Sequence, residues 1–141
     1  MRTPEKVAYR TKVVSTGSRR GGRSTSEDGL LDVELEMPEE LGGPGGRTNP
    51  EQLFGAGFAA CFTSALGLVA KDDGVDASNA RVTAEVGFGP EGESFGITVD
   101  LTVEVPGLDT AKVQELADAA HQVCPYSKAT RGNIPVTVTA A

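Results

Sequence analysis

Residues 30–37, LLDVELEM, alternate strictly: Leu31, Val33, Leu35 and Met37 fall on one side, Asp32, Glu34 and Glu36 on the other. A period of two with one wet face predicts a half-buried strand, which Pro38 ends. The same period recurs at 81–88, where Val82, Ala84, Val86 and Phe88 share a face, and at 95–105, where Ile97, Val99, Leu101, Val103 and Val105 do. GPEGES between these two runs predicts a hairpin loop. Residues 6–16, with Val7, Tyr9, Val13 and Val14, and residues 134–139, IPVTVT, predict a first and a last strand. GSRRGGRSTSEDG and LGGPGGRTNP carry the Gly, Ser and Pro of loops.

The period changes between Asn49 and Lys71, in NPEQLFGAGFAACFTSALGLVAK. Asn49 suits an N-cap, Pro50 the first helical position, and Gln52 a capping box. Apolar and small residues then cover every side of the helical wheel, with no charge between Glu51 and Lys71. A helix apolar all round is buried in a core or spans a membrane. Asp72-Asp73-Gly74 marks its end. A second helix, capped by Asp109, carries Val113, Leu116, Ala117, Ala120, Val123 and Cys124 as one stripe and stops at Pro125. The order ββ–α–ββ–α–β predicts an α+β fold with antiparallel sheets.

A chain of 141 residues fits a single domain over 1–141. Its net charge of −7 and pI of about 4.7 argue against a nucleic-acid partner, whose phosphates need clustered Lys and Arg. Arg19, Arg20 and Arg23 do cluster, in a Gly/Ser-rich loop without aromatics. MRTPEKVAYR has no apolar h-region, so no secretory signal is expected and the location is expected to be cytoplasmic. The 53–70 run reaches the length of a membrane span. Its strongly apolar residues are few, strands flank it and no basic loop orients it, so a buried central helix and no membrane partner are expected.

Cys61 sits in the middle of that helix and Cys124 at the end of the next. No metal-ligand spacing is present, and the single His121 cannot complete a zinc site with the two cysteines. Without a secretory signal, free thiols or a redox pair are expected over a structural staple. A cysteine attacks as thiolate, and burial among apolar residues raises its pKa. A reactive Cys61 therefore needs a cation from outside its helix, and the Arg19–Arg23 loop supplies one. A partly buried arginine in turn needs a carboxylate, for which Glu51 is a candidate. From the residues alone, inert packing and reactivity at Cys61 both stand. His121 reads as a surface or capping histidine near a helix C-terminus, with a base role toward Cys124 as the other reading.

NPEQLFGAGFAACF followed by CPYSKATRGNI, with the STGSRRG and ELGGPGG loops and AHQVCPYS, resembles the organic hydroperoxide resistance proteins of the wider osmotically induced protein C (OsmC) family. The likeness spans nearly the whole chain. It implies antiparallel sheets wrapped around a long central helix, an intertwined homodimer, and thiol-dependent reduction of organic hydroperoxides to alcohols. By resemblance Cys61 is the peroxidatic cysteine, Cys124 the resolving one, Arg19 the active-site arginine and Glu51 the carboxylate that fixes it. The family loop usually reads TGGR; here it is TGSR, with Arg20 following. A Cys61–Cys124 disulfide recycled by an external dithiol, a dihydrolipoyl group on a lipoylated protein, is implied, with no bound cofactor. Leu53, Phe54, Phe58 and Phe62 would line an apolar pocket for an alkyl chain, although each phenylalanine also suits plain core packing.

Glu51 and Cys61 are ten residues apart, ~15 Å along a straight helix. An arginine pinned by Glu51 of the same chain would struggle to reach Cys61. Two copies of the helix crossing antiparallel near Gly55-Ala56-Gly57 would bring Glu51 of one chain to Cys61 of the other, giving a homodimer with two composite sites. A thiol redox sensor and a structural dimer whose cysteines merely pack are the competing classes.

Overall fold

The computed structural model describes residues 1–141. Two compact units emerge, Met1–Pro50 and Glu51–Ala141.

The first unit is a polar antiparallel meander of β1 (Val13–Thr16), β2 (Arg23–Ser26) and β3 (Asp32–Glu34), in that order. The expected strand over 6–16 forms only from Val13, because β2 offers partners to Val13–Thr16 and no further. Val7 and Tyr9 stay exposed outside the ladder. The expected loop over 17–29 contains β2, whose sequence RSTS has no apolar alternation. Polar pairing marks it instead. Arg23 forks onto Asp32 across the β2–β3 ladder at 2.7 Å for both bonds, and buried Ser24 donates to Ser15 at 3.1 Å. The β1–β2 turn needs glycine: a Cβ on Gly22 would lie 2.1 Å from the Ser18 carbonyl oxygen. β3 is shorter than the 30–37 alternation, which continues into a single bridge from Leu35 to Thr48. One turn of 3-10 helix, Glu39–Leu41, follows.

The second unit holds helix α1 (Pro50–Asp72), the hairpin β4 (Arg81–Glu91) and β5 (Ser94–Glu104), helices α2 (Thr110–Val123) and α3 (Pro125–Thr130), and strand β6 (Val136–Ala140). The expected hairpin is present but tighter. Only Gly92 and Glu93 connect the strands, and Gly92 takes the positive φ of 57° that a II′-type turn wants at its first position. Its register sets Val82 opposite Val103, Ala84 opposite Leu101, Val86 opposite Val99 and Phe88 opposite Ile97, so the two apolar faces coincide. The sheet order is β4-β5-β6, and β6 runs parallel to β5. This corrects the expectation of purely antiparallel sheets. Helices α2 and α3 intervene between β5 and β6, and such a crossover returns the chain in the same direction. Gln114 on α2 holds β6, donating to Val138 O at 3.2 Å and accepting from Ala140 N–H at 2.8 Å.

Helix α1 is long and apolar enough to cross a bilayer by length and composition, yet its largest side chains serve a protein core. Phe58, Phe62 and Leu66 are fully buried with Val99, Leu101, Val103, Val113 and Ala117. The expected buried central helix is present, with Gln52, Ala56, Ala60, Ser64, Gly67 and Leu68 exposed along its opposite stripe. Gly55 and Gly57, expected at a helix crossing, are used within the chain. A Cβ on Gly55 would stand 3.2 Å from Val86 Cγ2, and one on Gly57 3.0 Å from the Tyr126 hydroxyl. α2 starts as expected, with Asp109 accepting from Lys112 N–H at 2.9 Å. Val123 departs from the expected stripe and is 46% exposed, because the chain turns at Cys124. Pro125 both stops α2 and opens α3, a helix the sequence reading lacks.

Leu66 makes no contribution to the candidate chemistry, so it tests the core alone. Leu66→Ala should lower the free energy of unfolding by about 2–5 kcal/mol, read as a lower urea midpoint at unchanged slope.

Candidate active site

The two cysteines, 63 residues apart in sequence, meet in the second unit: Cys124 Sγ stands 3.6 Å from Cys61 Sγ. α1 presents Cys61 half-buried beside its core-facing phenylalanines. Cys124 is fully buried at the junction of α2 and α3. Its N–H donates to Ala120 O at 2.9 Å and its carbonyl accepts from Lys128 N–H at 3.0 Å, so both neighbouring helices fix it. Both sulfurs are free thiols. A disulfide bond of about 2.05 Å requires them to close by ~1.5 Å from 3.6 Å, within reach of side-chain rotation and a small backbone adjustment.

Burial pushes the Cys61 thiol above its ordinary pKa; the N–H of Tyr126, donating to Cys61, pulls it partly back, and the Cys124 thiol adds to the rise. The surroundings in this unit thus oppose a thiolate, as the sequence reading requires of a helix without charges. Tyr126, whose N–H reaches Cys61, also joins an aromatic group. Phe54 meets Phe58 edge-on with centroids 6.0 Å apart, and the Tyr126 ring lies 6.4 Å from Phe54 and 5.8 Å from Phe58. Gly57 lets the Tyr126 ring approach the helix, since any larger residue there meets its hydroxyl and Cε2.

Of the expected pocket residues, Leu53 and Phe54 are half-buried, while Phe58 and Phe62 are fully buried core residues. Glu51 lies half-buried in the first turn of α1. Arg19 lies half-buried in the β1–β2 turn of the first unit; Arg20 beside it is exposed, its N–H donating to Ser18 Oγ at 3.1 Å.

Tyr126 was not legible as a neighbour of Cys61. His121, expected as a surface or capping residue, is half-buried. Its Nδ1 pairs with Ser127 Oγ at 2.8 Å rather than with a sulfur, and its ring lies 6.4 Å from Phe62. Burial first, then the charge of Arg131, push the ring below its ordinary pKa against an opposing pull from Asp118, so it is neutral at pH 7. The available signal was a serine three residues after a helix-ending cysteine, placed where a short helix buries it.

A family model described as OsmC-like protein matches residues 43–139. The organic hydroperoxide resistance protein of Xanthomonas axonopodis pv. citri (strain 306) is 52% identical over 143 aligned positions, covering 100% of both chains. An organic hydroperoxide resistance protein of Legionella pneumophila superposes with a TM-score of 0.90 at 42% identity, covering 96% of this chain and 99% of that one. OhrB of Bacillus subtilis does so at 0.85 and 42%, over 96% and 100%. Identity at this level along the whole length, on the same fold, makes the chain a member of the OsmC-like family, in its branch of organic hydroperoxide resistance proteins.

Proposed function

We propose that the chain acts in organic hydroperoxide resistance as a cysteine peroxidase, reducing alkyl and lipid hydroperoxides to alcohols. The observation that carries this reading is the 3.6 Å approach of the Cys61 and Cys124 sulfurs. Cys61 thiolate attacks the outer peroxide oxygen; the O–O bond breaks, the alkoxide takes a proton and leaves as alcohol, and Cys61 becomes a sulfenic acid. Cys124 then displaces hydroxide from that sulfur, which departs as water, and a disulfide forms. A dithiol reduces the disulfide by exchange. A dihydrolipoyl group on a lipoylated protein is the proposed donor, and the cytoplasm, where thiols are kept reduced, the proposed location.

Leu53 and Phe54, with the exposed edge of Tyr126, would receive the alkyl chain, and Phe58 and Phe62 would back them. Burial raises the Cys61 pKa, so attack near neutral pH needs a cation; Arg19 is its proposed source and Glu51 its proposed anchor. We further propose a homodimer. The uncovered stripe of α1 is made mostly of small residues, Ala56, Ala60, Ser64 and Gly67, which suits close approach of a second copy. Glu51 and Cys61 lie ~15 Å apart along α1, so the arginine beside Cys61 would be held by the partner's Glu51.

Reduced protein mixed with tert-butyl hydroperoxide and dihydrolipoamide tests the reading. Catalytic loss of peroxide is expected. One stoichiometric oxidation without turnover would identify a redox sensor, and unchanged thiols would identify packing. Light scattering at micromolar concentration should give twice the chain mass of 14.6 kDa. A fully active monomer would remove the composite site.

A further inference from the structure

Cys124 is the one residue between α2 and α3, and a hydrogen bond bridges it from side to side. His121, three residues before, places Nδ1 2.8 Å from Oγ of Ser127, three residues after. Ser127 is fully buried, where an unpaired hydroxyl is costly, so the bond is a built feature of the junction. Two further contacts lock the same turn. Arg131 Nη2 donates to the His121 carbonyl, and Arg131 N–H donates to Ser127 O at 2.9 Å. The His121 ring also rests against Phe62, the neighbour of Cys61. The element carrying Cys124 is thereby referred to the helix carrying Cys61.

We propose that His121 and Ser127 are positioning residues for the resolving cysteine, their hydrogen bond holding the α2–α3 junction so that the Cys124 sulfur stays within closing distance of Cys61. This rests on the peroxidase reading. The junction then decides between two fates of the Cys61 sulfenic acid. In one, Cys124 sulfur bonds to Cys61 sulfur, the S–O bond breaks, and hydroxide leaves as water with the thiol proton. In the other, a second hydroperoxide delivers an oxygen atom, giving a sulfinic acid and one more alcohol. A sulfur held 3.6 Å away favours the first by its effective concentration. Neither His121 nor Ser127 touches the peroxide in this scheme, so the first oxidation is insensitive to them.

The test uses the full chain, one equivalent of tert-butyl hydroperoxide and rapid acid quench, with thiols and oxidised species read by intact mass. Ser127→Ala should form the disulfide about tenfold more slowly, the loss expected of one hydrogen bond, and should gather more sulfinic acid under excess peroxide. The disulfide's reduction potential should rise by ~30 mV, the same tenfold in effective concentration. Peroxide consumption in the first turnover should stay within about twofold of the unsubstituted protein, since the His121–Ser127 bond takes no part in O–O cleavage. His121→Asn, whose amide reaches the place of Nδ1, should restore rate and potential, and His121→Leu should not. Unchanged resolution in Ser127→Ala, even with lower thermal stability, would reduce the bond to packing and overturn the proposal. So would His121→Asn behaving as His121→Leu does. If the unsubstituted protein consumes no hydroperoxide, the peroxidase reading fails and this one with it; if it does and only the variants match it, the peroxidase reading survives alone.

Discussion

Cys61→Ser should abolish hydroperoxide turnover, to below about one part in 10³ of the unsubstituted rate, when peroxide loss is followed with dihydrolipoamide in excess. A serine hydroxyl does not ionise near neutral pH and forms no sulfenic acid, so neither the O–O cleavage nor the disulfide survives the exchange. The substitution keeps nearly the same volume at a half-buried helix position, and helical circular dichroism should be unchanged. Cys124→Ser separates the two sulfurs. It should consume about one equivalent of peroxide, then stall, because no second thiol lies 3.6 Å from the oxidised sulfur. Any monothiol that enters the site can restore slow turnover. Equal turnover in Cys61→Ser and the unsubstituted protein would remove the proposed chemistry.

What was legible in the chain follows the physics of each segment. The β4–β5 hairpin was readable because one face of each strand is buried, which writes a period of two into the sequence, and the observed register pairs those same apolar positions. β2 was not readable, because RSTS buries only Ser24 and is held by Arg23–Asp32 rather than by apolar area. The direction of β6 was lost for another reason. A short strand of alternating Val and Thr reads alike in either direction, and only the α2–α3 crossover fixes it as parallel. α3 hid behind Pro125, which ends one helix and begins the next with equal ease. The crossing of two copies expected near Gly55-Ala56-Gly57 was argued from small residues alone; Gly55 and Gly57 face Val86 and Tyr126 of the same chain, and Ala56, Ala60 and Gly67 are exposed.

The cysteines themselves stood out through long motifs, whereas their meeting did not follow from spacing. It needs the end of α2 to reach the middle of α1. Tyr126 and Ser127 were silent because their roles come from backbone and burial: one donates its N–H to a sulfur, the other spends its hydroxyl on His121. A hydrophobicity pattern carries neither.

If Arg19 supplies the proposed cation, Arg19→Ala should lower the peroxide-reaction rate by about 10²–10³-fold at pH 7. Two contributions enter and can be separated by pH. Within its own unit, burial leaves the Cys61 thiol above its ordinary value, so a chain lacking the cation holds little thiolate at neutral pH. For an acid such as a thiol, each unit of raised pKa cuts the reactive fraction tenfold at a pH below it. The thiolate that remains is more nucleophilic by roughly threefold per unit, so the net loss through ionisation is only about threefold per unit. Ionisation alone therefore accounts for only part of the expected fall. The remainder is assigned to a second proposed task of the guanidinium, neutralising the negative charge that builds on the departing alkoxide oxygen. Raising the pH from 7 to 9.5 should therefore lift the Arg19→Ala rate steadily while the unsubstituted protein stays flat, yet leave a residual gap of at least about tenfold. Alkylation of Cys61 by iodoacetamide, which has no alkoxide to stabilise, should report the ionisation shift alone, with its midpoint moved to higher pH in the variant. Full recovery at high pH would confine the arginine to holding the thiolate. Identical pH profiles in the two proteins would assign the cation to another residue, with Arg20 the next to substitute.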